Sequence, residues 1–277
     1  MQEENINWLE KITHTANYIS RRVAKLPDTA IILGTGLGEL VDHIKIESDI
    51  RYQEIPNFPV STVEGHKGRL IFGYLGDKYI MAMQGRFHYY EGYDMKTVTF
   101  PVRVMRALGV ETLIVSNAAG GMNKEFLVGD VMIITDHINL FPENPLRGKN
   151  YNELGVRFPA MTEAYSKRLV AIADKIAQDK NIRLMHGVYV GTPGPTFETP
   201  AEYEYFRIIG GDAVGMSTVP EVIVANHGGM EVFGLSVITD LGGQDITQVP
   251  THEEVQQAAV TAEPITKMLV HELVARL

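Results

Sequence analysis

Short apolar runs alternate along this chain with stretches whose apolar residues recur every three or four positions. Such runs are typical of strands buried on both faces, and the three-to-four spacing is typical of helices. The strand candidates are 29–33, 70–75, 79–83, 112–116, 131–135, 187–191 and 232–238. The helix candidates are 6–23, 97–108, 163–178, 200–209, 220–227 and a last helix from Glu253. Strands that alternate with helices predict an α/β fold with a sheet largely parallel at its centre.

The chain shows no linker, repeat or low-complexity tract over its 277 residues, 45% of them hydrophobic, so we expect one domain spanning 1–277. The segment 141–159 is rich in Pro, Asn and Gly and lacks periodicity, which predicts a long loop with a functional role or high mobility. The formal net charge of −9 disfavours nucleic acid and anionic membranes as partners. An anionic ligand would therefore need a local, shaped site.

The chain has no cysteine, which excludes disulfides and thiolate zinc sites and fits a reducing compartment. The first residues, MQEENINWLEK, lack a basic segment followed by an apolar run, which argues against a signal peptide. No stretch approaches the roughly 20 apolar residues of a membrane span. We therefore expect a cytoplasmic protein, and no pattern in the sequence requires a metal.

Three predicted helices begin at a Thr that is followed three residues later by Glu: Thr199, Thr218 and Thr251. This spacing is typical of a capping box, and helix starts expose N–H groups and partial positive charge. In α/β sheets, ligands bind at the strand ends where such helices begin. The three starts are either good caps alone or parts of a binding site.

The segment GTGLG at 34–38 follows the first strand and could present N–H groups to an anion, although a plain tight turn is an equally good reading. It is not a dinucleotide fingerprint, because Glu39 stands where the third glycine belongs, and the Gly-Lys-Ser/Thr of a P-loop is absent. The nucleophile elbow G-x-S-x-G and the zinc motif H-E-x-x-H are also absent.

Eight segments in series resemble the trimeric class of purine nucleoside phosphorylases. They are GTGLG at 34–38, FPVSTVEGHKG at 58–68, QGRFHYYEGY at 84–93, SNAAGGMN at 116–123, RFPAM at 157–161, PGPTFET at 193–199, VGMSTVPEV at 214–222 and THEEV at 251–255. The resemblance implies a single α/β domain with a twisted mixed β-sheet flanked by helices. It also implies a homotrimer with active sites near subunit boundaries.

The resemblance implies phosphorolysis of purine ribo- and 2′-deoxyribonucleosides, with inorganic phosphate as co-substrate and no cofactor, in nucleoside metabolism and purine salvage. The phosphate site that it implies comprises Thr35, Arg86, His88, Ser217 and the backbone of Ala118. The family commonly has Ser where Thr35 stands, and the hydroxyl is retained. Arg86 offers a planar fork for two phosphate oxygens, and Glu91 is placed to orient His88.

The implied ribose site comprises Tyr90, Met216 and His252, with His66 nearby and Phe158 lent to the neighbouring subunit. The implied base site comprises Phe197, Glu198, Val214, Thr239 and Asp240. The catalytic groups in this reading are Asp240, Glu198, His88 and His252. A leaving purine needs a proton or a strong donor at N7.

Asp240 departs from the family pattern, because enzymes of this class that prefer 6-oxopurines usually carry Asn there. An ionised Asp only accepts hydrogen bonds, which suits a 6-amino group, whereas a protonated Asp donates to N7. Repulsion from Glu198 would raise the pKa of Asp240, so we hypothesise that Asp240 is the general acid. Glu198 suits 6-oxopurines, so inosine and guanosine are the first expectation and an adenosine-tolerant enzyme the alternative.

Three other functions compete with this interpretation. A methylthioadenosine phosphorylase would share the fold, but His252 suits the 5′-hydroxyl that methylthioadenosine lacks. A nucleoside-binding protein without turnover would not need the Arg86, His88 and Glu91 cluster. A Rossmann-type oxidoreductase is disfavoured by the broken glycine pattern.

Overall fold

The computed structural model describes residues 7–34, 37–60, 67–243 and 252–277, without the side chains of 252–254. The described residues form six α-helices: α1 (Trp8–Ser20), α2 (Met95–Ala107), α3 (Lys167–Lys180), α4 (Pro200–Ile208), α5 (Val219–His227) and α6 (His252–Ala275). They form nine strands: β1 (Thr29–Leu33), β2 (Ile44–Arg51), β3 (Arg69–Leu75), β4 (Lys78–Gln84), β5 (Thr112–Gly121), β6 (Val131–Asn139), β7 (Met185–Gly191), β8 (Ala213–Gly215) and β9 (Glu231–Leu241).

The strands form one mixed sheet in the order β2-β3-β4-β1-β5-β8-β7-β6-β9, and β5 also pairs with β9. Strands β4, β1, β5 and β9 run parallel, with Ile31 opposite Ala82 and Ile114. Strands β6, β7 and β8 are also parallel to one another. Antiparallel pairs join β6 to β9 and β8 to β5, so β5, β9, β6, β7 and β8 close a ring of strands.

Helices cover both faces of the sheet. One buried apolar cluster joins α1, α2 and α5 to one face, and a second joins α3 and α6 to the other. The strands between these layers are buried throughout much of their length; β1, for example, is buried at all five positions. This burial on both faces explains why their sequences are continuous apolar runs rather than alternating patterns. The predicted α/β fold with a mixed sheet flanked by helices is therefore confirmed.

Two strands were missing from the prediction, for different reasons. Strand β2 is mostly exposed, so only Ile44 and Ile50 are buried and no apolar run marks it. Strand β8 has only three residues, Ala213–Gly215. The predicted start of the third helix at Glu163 is also wrong, because Ser166 caps α3 through the Leu169 N–H.

The three predicted helix starts have different outcomes. Thr199 forms the predicted capping box: its hydroxyl accepts from the Glu202 N–H, and Glu202 accepts from the Thr199 N–H. The box at Thr218 is wrong, because the Thr218 side chain makes no cap bond and the residue has a φ of 71°. Thr251 lies outside the described residues.

The predicted long loop 141–159 is present, and its one regular element is a 3₁₀ turn at Asn152–Leu154. No described helix combines the length and apolarity that a membrane crossing requires.

Candidate active site

A cavity of about 290 Å³ opens at the carboxyl ends of β5, β8 and β9. Its wall is completed by the segments that follow β1, β4, β7 and β8. Parallel strands bring their carboxyl ends to one edge of a sheet, and such edges are where α/β proteins bind ligands. The strands that meet here are β5 and β9, which are parallel along their length.

Most of the residues assigned from the sequence line this one cavity: Arg86, His88, Tyr90, Ala118, Phe197, Glu198, Val214, Met216, Ser217, Thr239 and Asp240. Their functional roles stay predictions at this point. Thr35, His66 and the side chain of His252 lie outside the described part of the chain.

Phe158 is the assigned residue that lies elsewhere. It is 87% exposed and lines a separate surface depression with His137, Met161 and Ile223. A single chain therefore does not bring Phe158 to the cavity described above.

A buried ion pair includes Arg86, one of the residues that line the cavity. Arg86 and Glu221 have side chains 2% and 4% exposed, and their closest N–O distance is 2.7 Å. Arg86 Nε donates to the second Glu221 oxygen at 3.2 Å, and Nη1 donates to the Ser116 carbonyl oxygen. Removing one partner of such a pair typically costs about 3–5 kcal/mol, because a buried charge is left uncompensated. The guanidinium edge that we expected to face phosphate is turned to Glu221.

Three polar side chains meet next to this ion pair. Asn117 Nδ2 donates to the Thr218 hydroxyl at 2.8 Å, and the Ser217 hydroxyl lies 3.0 Å from the same oxygen. The Ser217 N–H donates to the buried Tyr189 hydroxyl at 3.4 Å. Thr218 has a φ of 71°, which is costly for a β-branched residue, and such strained residues cluster at functional sites. The unusual backbone of Thr218 directs its hydroxyl to Asn117 rather than to the start of α5.

His88 is oriented by the next turn of the chain, as predicted. Glu91 Oε1 accepts from the His88 N–H at 2.8 Å and lies 3.1 Å from His88 Nδ1. The His88 ring stacks on Tyr90 with centroids 4.6 Å apart. Burial lowers the pKa of His88, although the hydrogen bond to Glu91 opposes this effect. In the neutral ring, Nδ1 as donor leaves Nε2 as an acceptor.

Glu198 is the half-buried carboxyl just before α4, and Thr192 donates to its Oε1 at 3.4 Å. Burial raises the pKa of Glu198 to about 7, and the charge of Asp240 adds to this effect. This carboxyl therefore changes charge in the physiological pH range. Such a titration near pH 7 is common for groups in binding and catalytic sites.

Asp240, at the end of β9, is the second carboxyl of the cavity. The Thr239 hydroxyl donates to its Oδ1 at 3.0 Å, and the Tyr203 hydroxyl donates to its Oδ2 at 3.0 Å. The pKa of Asp240 is raised, as we expected, but burial is the cause and the two hydroxyl donors lower it. The repulsion that we expected to act on Asp240 is expressed instead in the pKa of Glu198.

The sequence reasoning missed Glu221, Tyr203 and Asn117. Glu221 was assigned to a cap, whereas it pairs with Arg86, which lies 135 residues earlier. Asn117 lies in the segment SNAAGGMN at 116–123, but no role was assigned to it from the sequence. For Tyr203, the sequence indicated only a helical residue on the side that faces the sheet. That pattern does not show that its hydroxyl bonds to Asp240 on β9.

Within the described residues, no cluster of three or more His, Asp or Glu side chains is arranged to hold a metal ion.

Comparison with known proteins agrees with this geometry. The family model described as the phosphorylase superfamily matches residues 28–275. Purine nucleoside phosphorylase 1 of Bacillus subtilis (strain 168) is 52% identical over 267 residues, 96% of this chain and 98% of that protein. A crystal structure of Schistosoma mansoni purine nucleoside phosphorylase in complex with inosine has a TM-score of 0.92 and 40% identity, and each chain is 97% covered.

A structure of the Schistosoma mansoni enzyme in complex with adenosine has the same TM-score of 0.92 at 41% identity, covering 97% of this chain and 98% of that one. Identity of this order over nearly the full length extends well beyond the fold. The family match covers nearly the whole chain, and the relatives are about half identical to it. This chain therefore belongs to the phosphorylase superfamily and, within it, to the purine nucleoside phosphorylases.

Proposed function

We propose that this chain cleaves purine ribo- and 2′-deoxyribonucleosides with inorganic phosphate, releasing the free base and (2-deoxy)ribose 1-phosphate. The observation that carries the proposal is the one cavity that joins an Arg86 and Ser217 end to a Glu198 and Asp240 end. The first end suits an anion and the second suits the polar edge of a purine. A nucleoside bound between them would have its glycosidic bond next to phosphate.

The reaction breaks the C1′–N9 bond and forms a bond between C1′ and a phosphate oxygen. The purine leaves with the electron pair of the broken bond and takes a proton, while phosphate stabilises the cationic sugar before attacking it. This sequence needs no covalent enzyme intermediate. Inorganic phosphate is a co-substrate, and the proposal includes no cofactor.

At the phosphate end we assign Arg86, His88, Ser217, the Ala118 backbone and Thr35. Arg86 supplies positive charge, and its ion pair with Glu221 fixes the position of the guanidinium. Neutralisation by Glu221 limits the net charge offered to phosphate. Hydroxyl and N–H donors therefore supply a larger share of the binding than a bare guanidinium fork would require.

At the ribose we assign Tyr90, Met216 and His252, with Met216 under the sugar and His252 at the 5′-hydroxyl. The assignment of Tyr90 is supported by its stacking on His88 and by its position in the lining of the cavity. The 5′-hydroxyl contact separates this function from methylthioadenosine cleavage. That alternative is not favoured, because the compared relatives are named purine nucleoside phosphorylases.

At the base we assign Phe197 to pack on the ring, Val214 to line its pocket, and Glu198, Thr239 and Asp240 to its polar edge. An ionised Glu198 accepts from the N1–H of hypoxanthine or guanine, which supports inosine and guanosine as substrates. A protonated Asp240 would donate to N7. An ionised Asp240 would accept from a 6-amino group instead, which supports tolerance of adenosine.

We further propose that the enzyme is a cytoplasmic homotrimer in which Phe158 contacts the neighbouring subunit's nucleoside. The 87% exposure of Phe158 supports this assignment, because a large aromatic side chain in water gains from a partner surface.

The test is release of free base from inosine, guanosine, adenosine and methylthioadenosine, each with and without phosphate. We expect phosphate-dependent release from the first two substrates. Release from methylthioadenosine alone would contradict the assignment of His252, and no release at all would favour a binding protein.

An Asp240→Asn variant should shift the preference toward inosine and guanosine. An unchanged ratio of inosine to adenosine cleavage would contradict the assignment of Asp240.

A further inference from the structure

Tyr203 connects helix α4 to the carboxyl at the end of β9. Its side chain is only 6% exposed, its ring packs with Met122, Val190 and Phe206, and its hydroxyl donates to Asp240 Oδ2 at 3.0 Å. A buried phenol needs a partner for its hydroxyl. In this protein the partner is a carboxyl of the proposed base site, so Tyr203 is coupled to base recognition.

The space that Tyr203 occupies depends on two glycines. A Cβ at Gly242 would overlap the Tyr203 ring, and a Cβ at Gly120 would overlap its hydroxyl and crowd Asp240 Oδ2. Gly120 lies on β5 and Gly242 follows β9, so the backbone of both strands leaves room for this one side chain. The position of Tyr203 against Asp240 is therefore fixed by Gly120, by Gly242 and by the apolar side chains that pack on its ring.

The hydrogen bonds to Asp240 favour its ionised form, in opposition to burial, which raises the pKa of this carboxyl. Tyr203 donates to one oxygen and Thr239 donates to the other, so each carboxylate oxygen receives a hydroxyl hydrogen. Two donors stabilise the ionised, acceptor form of a carboxyl. Each oxygen keeps a second lone pair, and these lone pairs can accept from an N–H group of a ligand.

The structure assigns a specificity role to Tyr203: we propose that it holds Asp240 as a hydrogen-bond acceptor and thereby favours purine nucleosides with a 6-amino group. Tyr203 is a positioning residue, since it acts through Asp240 and is not assigned a contact with the sugar or phosphate. The inference rests on the proposed phosphorolysis and concerns only which base is accepted.

The charges around Asp240 set the direction of the effect. The titratable neighbours among the described side chains are Glu198, just before α4, and Tyr203, on α4. The strand that pairs with β9 at this position contributes Gly120, which does not titrate. With Asp240 ionised, a protonated Glu198 would donate to the N1 of adenine. With 6-oxopurines the proton would be needed on Asp240 instead, which the Tyr203 donor opposes.

The experiment is Tyr203→Phe, with kcat/KM measured for adenosine and inosine at saturating phosphate from pH 5 to 9. Loss of the donor raises the pKa of Asp240, so the ratio of adenosine to inosine should fall about tenfold, the effect of one charged hydrogen bond. The acid limb of the adenosine profile should move to higher pH. Tyr205→Phe is the matched control, because it lies on the same helix with an exposed side chain and should change neither quantity.

A second background keeps the proposal testable if the Tyr203 ring shifts. In Asp240→Asn no carboxyl remains at this position, so adding Tyr203→Phe should no longer move the acid limb. The same shift in both backgrounds, or an unchanged ratio in Tyr203→Phe, would overturn the role of Tyr203. Wild-type protein that cleaves neither nucleoside with phosphate would instead contradict the proposed function itself.

Discussion

Two carboxyls of the same cavity differ at the scale of single residues because their neighbours differ. The Thr192 hydroxyl donates to Glu198 at 3.4 Å, and burial raises the pKa of Glu198 to about 7. Asp240 has two hydroxyl donors at 3.0 Å, which oppose the effect of burial. We infer that Glu198 is the carboxyl that gains a proton more readily near neutral pH.

This difference predicts a pH dependence for inosine cleavage. Accepting the N1–H of a 6-oxopurine requires ionised Glu198, and the ionised fraction falls as the pH drops below about 7. The kcat/KM for inosine should therefore decrease toward acid pH. In Glu198→Gln this limb should be absent, since an amide accepts without titrating.

The profile of kcat/KM against pH is the measurement, with Glu204→Gln as the control. Glu204 lies on α4 and pairs with Arg207 on the exposed surface, so its replacement should leave the acid limb in place. An acid limb that persists unchanged in Glu198→Gln would assign the titration to another group.

At the scale of elements, the start of helix α4 has two tasks. Its capping box at Thr199 satisfies helix N–H groups, and it holds the residue just before it, Glu198, at the cavity. At the fourth residue of the helix, Tyr203 donates to Asp240. The local signal for this helix start was readable from the sequence because a capping box is made by residues three apart.

We expect Thr199→Ala to lower the free energy of unfolding by about 1 kcal/mol, the usual value of an N-cap. It should also raise the KM for nucleoside, since the carboxyl and phenol of the base site depend on this turn. Thr199→Ser should restore both values.

Urea unfolding and steady-state kinetics measure the two effects. The control is Ser166→Ala, which removes the N-cap of α3. Helix α3 packs with α6 in the second apolar cluster, so this change should lower stability without changing KM. An unchanged KM in Thr199→Ala would show that the cap does not position the base site.

At the scale of the whole molecule, the ring of β5, β9, β6, β7 and β8 brings distant segments to one cavity. Phe158 lies outside that cavity, on the surface of the loop 141–159. In the proposed trimer, a complete site would combine the cavity of one copy with Phe158 of an adjacent copy.

Phe158→Ala tests this arrangement. Truncating an aromatic contact at an interface commonly costs more than 1 kcal/mol, so the KM for nucleoside should rise about tenfold. Sedimentation should give about three times the 30.8 kDa chain mass for both wild type and variant. Val156→Ala, in the same exposed loop, is the control and should leave KM unchanged; a monomeric active enzyme would contradict the proposed lending of Phe158.

The sequence by itself determined the features that depend on neighbours along the chain. Continuous apolar runs marked the buried strands, the spacing of three and four marked the helices, and residues three apart marked the Thr199 cap. Strand β2 escaped because its exposed side chains carry no apolar run. The serial motifs also named most of the residues that line the cavity in the structure.

Only the tertiary structure decided which of these residues touch. Glu221 was available for a cap at Thr218, but the fold places it against Arg86, where its charge offsets a buried guanidinium. Tyr203 meets Asp240 because the fold brings this α4 side chain to the end of β9, where Gly120 and Gly242 leave room for it. Hydrogen bonds and ion pairs inside a fold join atoms that are close in space, and a linear pattern does not contain those distances.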